Sequence, residues 1–230
     1  MSASDRRPAA PGPAVPSPPA SGRGAPGLRR HLRAAGVLVL VGILILGVAY
    51  PWAVTALAEV LNPSGANGSL LYAPNGTVYG SRLVGENTSL PYLFWDRVSL
   101  TDYNTTAGYA DFYGPSDPAL LTWLNETIAY LRADWNLSLN QSLPLDLVTP
   151  SGSSLDPFLV PAGVLIQVPR VAAAIHTLTG LPYDAVVARL TALVNAAIEA
   201  PFGGLFGVAV IDVPSLDAAV LSSFSLPAGG

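Results

Sequence analysis

The sequence predicts an α/β protein in which a single N-terminal transmembrane helix precedes one mixed α/β extracytoplasmic domain. The first observation is an uncharged run of twenty-five residues, 34–58, which is long enough to cross about 30 Å of bilayer hydrocarbon. The second is a charge asymmetry, because six arginines and one aspartate precede the run, whereas five arginines and fourteen acidic residues follow it. The third is that segments of helical and strand character alternate along the remaining chain, which favours a mixed domain.

Residues 1–33 are predicted to form a disordered, basic, cytoplasmic tail. Seven prolines occur before residue 28, and a segment of this composition buries too little apolar surface to offset its ordering entropy. Arg29, Arg30 and Arg33 flank only one end of the apolar run, and such residues are retained in the cytoplasm. We therefore expect a single-pass protein of the cell membrane, with its N-terminus inside and its C-terminal domain outside.

Residues 34–58 are predicted to be the transmembrane helix itself. Tyr50 and Trp52 lie near its outer end, where aromatic side chains occupy the headgroup level. The alternative is a secretory signal, because Ala56-Leu57-Ala58 has the small-x-small pattern of a cleavage site. An anchor is favoured, since both the apolar run and the region before it are longer than those of ordinary signals.

Residues 59–230 are predicted to form the extracytoplasmic α/β domain. β-Prone runs beside turn residues predict strands, and apolar residues at helical spacing between capping and breaking residues predict helices. In chain order, we expect a hairpin of strands 69–72 and 77–84 around Pro74-Asn75-Gly76, a loop over 85–114, a helix opened by Ser116-Asp117-Pro118, a strand over 145–149, helices over 162–167 and 170–178 separated at Pro169, a helix over 182–200, a strand over 208–213 and a helix over 214–222.

Seven of the nine asparagines open an Asn-x-Ser/Thr triplet without a central proline, and all seven follow the apolar run. Such triplets are acceptors of N-glycosylation on surfaces outside the cytoplasm. A glycoprotein is therefore the hypothesis, in an organism that glycosylates its surface proteins. The alternative is that asparagine, serine and threonine cluster in turns. The candidate acceptors are Asn67, Asn75, Asn87, Asn104, Asn125, Asn136 and Asn140.

The sequence contains no catalytic or metal-binding pattern, so we expect no enzyme activity and no cofactor of its own. Because cysteine and lysine are both absent, thiolate chemistry and a P-loop phosphate cradle are excluded. No His, Asp or Glu cluster has zinc or calcium-loop spacing. His176 is predicted to be a packed or capping residue rather than a base. The acidic domain is a poor partner for nucleic acid.

Five motifs, in order and spacing, resemble the C subunit of the Kdp potassium-pumping ATPase over residues 36–222. The resemblance also includes the apolar run with its Tyr50-Pro51 dipeptide. Arg97-Val98-Ser99-Leu100 departs from the arginine-proline-serine-alanine stretch that the family usually has there, and Phe158 replaces a common histidine or asparagine. The motifs are ANGSL at 66–70, GSRLVGEN at 80–87, GPSDP at 114–118, LDLVTPSGSSLDP at 145–157 and QVPRVA at 167–172.

The resemblance implies an accessory, non-catalytic subunit that stabilises an ATP-driven, high-affinity potassium importer. The implied partners are a channel-like potassium-binding subunit and a P-type ATPase subunit, which handle potassium and ATP with magnesium, together with the lipid bilayer. One alternative is a regulatory module, or catalytic chaperone, that raises the ATP affinity of the ATPase subunit. Direct ATP contact is not expected, because an outward domain does not meet cytoplasmic ATP. The other alternative is an unrelated membrane-anchored surface glycoprotein.

The resemblance also singles out five candidate residues for contact with a partner or ligand. Ser151, Ser153 and Asp156 lie in a hydroxyl-rich loop, which could be fixed against a partner. The alternative is a self-capping turn whose side chains bond nearby backbone. Gln167 and Arg170 form a polar pair in an otherwise apolar helical stretch, so their side chains require hydrogen-bond partners.

Overall fold

A computed structural model describes residues 27–73, 75–88, 90–110 and 113–227, without the side chain of Phe202. Residues 1–26 of the tail predicted over 1–33, and Pro74 of the predicted hairpin turn, lie outside the described residues. The chain divides into two compact units, Met1–Val54 and Thr55–Gly230.

A long apolar helix extends over Leu28–Leu61. It consists of α1 (Leu28–Leu44), a π-helical turn (Ile45–Ala49) and α2 (Tyr50–Leu61). No residue of these three elements is buried, although the helix is long and apolar enough to cross a membrane. A second stretch, Pro161–Thr179, meets the same criterion but is partly buried and contributes to the core of the domain.

The π-helical turn has a local cause in Pro51. Proline has no N–H to bond the carbonyl of Gly47, four residues earlier, and its ring clashes with that carbonyl. The N–H of Tyr50 instead bonds the carbonyl of Ile45, which widens the helix by one residue. Such a π-bulge is a recognised cause of helix bending.

The Thr55–Gly230 unit is mixed helix and strand, which confirms the predicted class. Two antiparallel strands, β1 (Leu70–Tyr72) and β2 (Val78–Ser81), form the predicted hairpin. A second antiparallel sheet has the order β3-β5-β4, with β3 (Phe158–Leu159), β4 (Ile198–Glu199) and β5 (Val210–Asp212). The helices are α3 (Pro63–Ala66), α4 (Pro118–Asp134), α5 (Leu145–Val148), α6 (Pro161–Leu165), α7 (Val168–Thr179), α8 (Tyr183–Ala196) and α9 (Val213–Phe224).

Local signals account for several helix ends. Asp117 accepts a hydrogen bond from the N–H of Ala119 at the start of α4, as its position before Pro118 predicts. Gly180 ends α7 in the left-handed conformation with φ of 71°, which glycine adopts without a Cβ penalty. Pro169 lies within the first turn of α7 rather than between two helices, since proline is tolerated there.

Two predicted elements are wrong. Residues 145–149, predicted as a strand, contain the helical turn α5, whose Leu147 and Val148 are both buried. Strand propensity is a weak preference that packing overrides. The helix predicted over 182–200 ends at Ala196, and Ile198 pairs with Ile211 of β5 instead. β3 was not predicted, because two residues are too few for a periodic pattern.

The core of the domain lies between α7, α8, α9 and the three-stranded sheet. Arg82, just after β2, connects the hairpin to this core. Its Nε donates to Oδ2 of buried Asp212 at 2.7 Å, and its Nη2 contacts Glu199 at 3.0 Å. The hydrogen bond that Arg82 donates to Asp212 raises the pKa of Arg82. Fully buried members of the core include Val171, Ile175, Leu190, Val194, Ile211, Val220 and Leu221.

Candidate functional site

The candidate site is built around residues 90–97, hereafter the buried segment. Tyr92, Leu93, Phe94 and Asp96 in this segment are buried, yet none of its described residues belongs to a helix or strand. Buried backbone N–H and C=O groups need hydrogen-bond partners. The identity of those partners therefore determines how the segment is held.

Gln167 supplies partners for Trp95. Its Oε1 accepts from the Trp95 N–H at 2.8 Å, and its Nε2 donates to the Trp95 carbonyl at 3.1 Å. The same Nε2 donates to the carbonyl of Gly163 at 3.1 Å. The side chain of Gln167 is fully buried. Its amide therefore pairs with the Trp95 backbone inside the core, in the way that a neighbouring strand would.

Arg170 holds the preceding residues of the segment. Its guanidinium donates to the carbonyls of Pro91 at 3.0 Å and Leu93 at 2.9 Å, and to Oε1 of Gln167 at 3.0 Å. It also lies over the rings of Trp95 and Trp135, at 5.3 and 5.5 Å from their centroids, which is cation–π distance. Burial lowers the pKa of Arg170 to about 10.

Asp217 is the third side chain that holds the buried segment, and it was not among the residues predicted from the sequence. Its Oδ1 accepts from the N–H of Phe94 at 2.9 Å, and burial raises its pKa well above the usual range. A sequence signal existed, because Asp217 follows Val213 by four residues and therefore lies on the apolar face of α9. An acid on such a face needs an internal partner.

Arg97, at the end of the buried segment, holds the loop over 149–156. Its Nε donates to the carbonyl of Thr149 at 3.0 Å and its Nη2 to that of Pro150 at 3.1 Å. Its Nη1 lies 3.4 Å from Oδ2 of Asp156. The departure from the family pattern concerns the residues that follow Arg97. The resemblance did not indicate that Arg97 itself contacts the loop over 149–156.

The serines of this loop bond backbone within the loop or beside it. The Oγ of Ser151 accepts from the N–H of Asp156, and that of Ser153 accepts from the N–H of Leu155, both at 3.3 Å. Ser151 is buried and Ser153 is exposed. Ser154, with φ of 60°, donates its hydroxyl to the carbonyl of Tyr109 at 2.7 Å. These contacts match the self-capping alternative.

The five candidate residues thus fall into two groups. Gln167 and Arg170 bond the backbone of the buried segment between Pro91 and Trp95. Ser151, Ser153 and Asp156 belong to the loop over 149–156, which is held by Arg97 at the end of that segment. The buried segment itself joins the groups. A role of these residues in contact with a partner remains a prediction.

Two further polar side chains, His176 and Asp146, bond backbone groups of the domain. His176 places Nδ1 2.6 Å from the carbonyl of Leu181, just after α7, as a capping role requires. The Asp146 carboxylate accepts from the N–H of Val160 at 2.5 Å. Among the described residues, no group of three or more His, Cys, Asp or Glu side chains could hold a metal ion.

The seven asparagines of the acceptor triplets are all exposed. Asn75 and Asn104 each accept two hydrogen bonds, from the N–H and hydroxyl of the threonine two residues later. Asn87 donates to Asp102. Exposure is compatible with glycosylation, and the turn contacts fit the alternative that these residues favour turns. Occupancy by glycans remains a prediction.

Comparison with known proteins gives consistent results. The family described as KdpC, K+-transporting ATPase, c chain, matches residues 32–221. A protein of Polaromonas naphthalenivorans named "Potassium-transporting ATPase KdpC subunit" is 40% identical, over 84% of this chain and 95% of its own. Proteins of the same name are 39% identical in Ralstonia nicotianae, over 81% of this chain and 88% of the relative, and 42% identical in Methanosphaerula palustris, over 64% and 77%.

Proposed function

This chain belongs to the KdpC family, the c chain of the K+-transporting ATPase, and from that premise we propose that it is a non-catalytic subunit which stabilises an ATP-driven potassium importer. Its partners in the proposal are the channel-like potassium-binding subunit and the P-type ATPase subunit. Its apolar helix anchors it in the bilayer, and its α/β domain lies outside the cytoplasm.

The observation that carries the stabilising role is where the polar side chains of the candidate site are directed. Gln167, Arg170 and Asp217 bond the backbone of the buried segment, and Arg97 bonds that of the loop over 149–156. Groups engaged in this way stabilise one conformation of irregular chain. A rigid domain surface is what a structural subunit presents to its partners.

The apolar helix supports the same proposal. Its leucine, valine and isoleucine side chains are exposed along its length, and lipid or another transmembrane helix satisfies such a surface. In the helix, Gly36 and Gly42 have open space where a Cβ would extend, so another helix can approach closely there. We propose that both helix and domain contact the partner subunits.

We propose no direct contact with ATP. Three of the five arginines of the domain, Arg82, Arg97 and Arg170, are engaged with internal acceptors, which supports this view. Phosphate recognition depends on available arginine, lysine or N–H groups. Potassium and ATP with magnesium are therefore assigned to the partner subunits.

Deleting residues 59–230 should abolish stable assembly of the pump, because the helix alone lacks the domain surface. The measurement is co-purification of the two partner subunits with the tagged helix, beside their total amounts in the membrane. Deletion of residues 2–26 is the matched control and should leave assembly intact. Recovery of an active complex without residues 59–230 would refute the stabilising role.

A reporter fused after Gly230 should lie outside the cytoplasm, because arginines flank only the N-terminal end of the apolar helix. The measurement compares alkaline phosphatase, which is active only after export, with a fluorescent protein that matures in the cytosol. Fusions of both reporters at Met1 serve as the reversed control. A cytosolic C-terminus would overturn the orientation and favour the regulatory module that acts on ATP affinity.

A further inference from the structure

An exposed loop connects β4 to β5 over residues 200–209, hereafter the apolar loop. Its sequence, APFGGLFGVA, contains no charged side chain and none that forms hydrogen bonds. Leu205, Phe206 and Val208 are 80%, 72% and 66% exposed. Single apolar residues on a surface are ordinary, but several that are exposed together mark a site of contact with protein or membrane.

Glycine gives the apolar loop its shape. Gly203, Gly204 and Gly207 have φ of 66°, 82° and 81°, a region that residues with a Cβ rarely adopt. Gly204 precedes Leu205, and Gly207 follows Phe206. The two most exposed side chains of the loop therefore lie between left-handed turns, so their exposure follows from the backbone conformation.

Arg82 holds both ends of the apolar loop. Its Nη2 lies 3.0 Å from Oε1 of Glu199, the last residue before the loop, and its Nε donates to Oδ2 of Asp212 at 2.7 Å. Glu199 and Asp212 are the nearest charged residues on either side of the loop. Both lie outside it and are paired, so contact of the loop with an apolar phase buries no charge.

Arg82 also connects the apolar loop to the end of the long apolar helix. Its N–H donates to the carbonyl of Ser69 at 3.0 Å, and the N–H of Ser69 donates to the carbonyl of Ser64 in α3 at 2.8 Å. α3 begins two residues after Leu61, where the apolar helix ends. The apolar loop is therefore held close to the point at which the chain leaves that helix.

The chemistry of the apolar loop suits lipid better than a protein partner. A protein interface contains about one hydrogen bond per 100–200 Å² of contact, and this loop offers no side chain to form one. Lipid requires only apolar area, and leucine and phenylalanine supply it at a membrane boundary. Backbone groups outside helices and strands find hydrogen-bond partners among headgroups but not in hydrocarbon, which limits the depth that the loop can reach.

We propose that the apolar loop inserts Leu205, Phe206 and Val208 into the boundary between headgroups and acyl chains, about 5–10 Å deep. The domain is then attached to the bilayer at two points, the apolar helix and the apolar loop. Two attachments restrict rotation of the domain about the helix axis, so one face of the domain is presented to the partner subunits. The inference rests on the proposed function only in that the helix crosses a membrane, and it holds for either orientation.

The test uses the full chain, without partner subunits, in phosphatidylcholine nanodiscs that hold one chain each. The chain contains no cysteine, so Leu205→Cys can be labelled at one position with bimane. Leu139→Cys is the matched control, because Leu139 is also 80% exposed. Compared with the label at 139, the label at 205 should be quenched at least about threefold more by doxyl groups on the lipid acyl chains, and about threefold less by iodide in the buffer, because the membrane boundary excludes dissolved ions.

A charge placed in the apolar loop should release it from the lipid. Phe206→Asp in the chain labelled at 205 should reduce doxyl quenching to the level of the control, since an ionised carboxylate is costly to move out of water. Leu139→Asp in the same labelled chain should leave the quenching unchanged. Both substitutions lie at exposed positions, and near-ultraviolet circular dichroism checks that the domain remains folded.

Four outcomes would overturn the proposal. Equal doxyl quenching at 205 and 139 would place the loop in water. Protection from iodide that appears only with the partner subunits would assign the loop to a protein interface, and protection that appears only with two chains per disc would assign it to a second copy. Unchanged quenching in Phe206→Asp would show that apolar side chains do not hold the loop at the membrane. Because the chain is measured alone, failure here leaves the assembly role untouched.

Discussion

Gln167→Leu should lower the free energy of unfolding by about 3 kcal/mol, because it leaves the N–H and carbonyl of Trp95 buried without partners. Leucine is close to glutamine in size, so the lost hydrogen bonds rather than a cavity dominate the effect. The Arg170 guanidinium would also lose an acceptor. Thermal unfolding of the full chain in maltoside micelles, followed by near-ultraviolet circular dichroism, should show a midpoint about 10 °C lower.

Gln141→Leu is the matched control, since Gln141 is an exposed glutamine after α4. It should change the midpoint by less than about 2 °C, as surface substitutions usually do. The variant Gln167→Glu separates the two hydrogen bonds to Trp95. A carboxylate can accept from the Trp95 N–H but cannot donate to the Trp95 carbonyl. A midpoint for Gln167→Leu equal to that of the control would show that the buried segment is held by other contacts.

Stability of the domain should decrease as pH rises above about 4, and this is the second large effect. Burial raises the pKa of Asp96 and of Asp217 well above the usual range, and it also raises the pKa of Glu86. The unfolded chain releases these protons above about pH 4. The folded state therefore binds more protons over the interval between the unfolded and folded pKa values, and its stability declines across that interval.

The measurement is the free energy of unfolding as a function of pH for the natural chain and for Asp217→Asn. Asparagine keeps the acceptor for Phe94 N–H but does not titrate, so the substitution should flatten the profile. Glu126→Gln, an exposed residue of α4, is the control and should leave the slope unchanged. A stability that rises with pH over this interval would mean that these carboxylates are ionised in the folded domain.

Local sequence patterns predicted the elements that depend on neighbouring residues. The helix opened at Asp117, the end of α7 at Gly180 and the hairpin all follow from capping, conformational freedom of glycine and turn chemistry. The patterns failed at 145–149 and at 198–199, where packing decides between helix and strand. Alternation over two or three residues contains too little information to distinguish the two.

The candidate site was predicted in part. The unusual polarity of Gln167 and Arg170 within an apolar stretch correctly indicated that they needed hydrogen-bond partners. The partners themselves lie 72 to 79 residues earlier in the chain, and Asp217 bonds Phe94 across 123 residues. No short-range spacing encodes such pairs.

The sequence by itself determined that a long uncharged helix, flanked by arginines at one end, precedes an acidic mixed domain, because these are properties of composition and local periodicity. Only the tertiary structure decided which side chains satisfy the backbone of the buried segment, among them Gln167 and Asp217. The physical reason is that a buried peptide group accepts any partner of suitable geometry. The partner is selected by three-dimensional packing, whatever its distance along the chain.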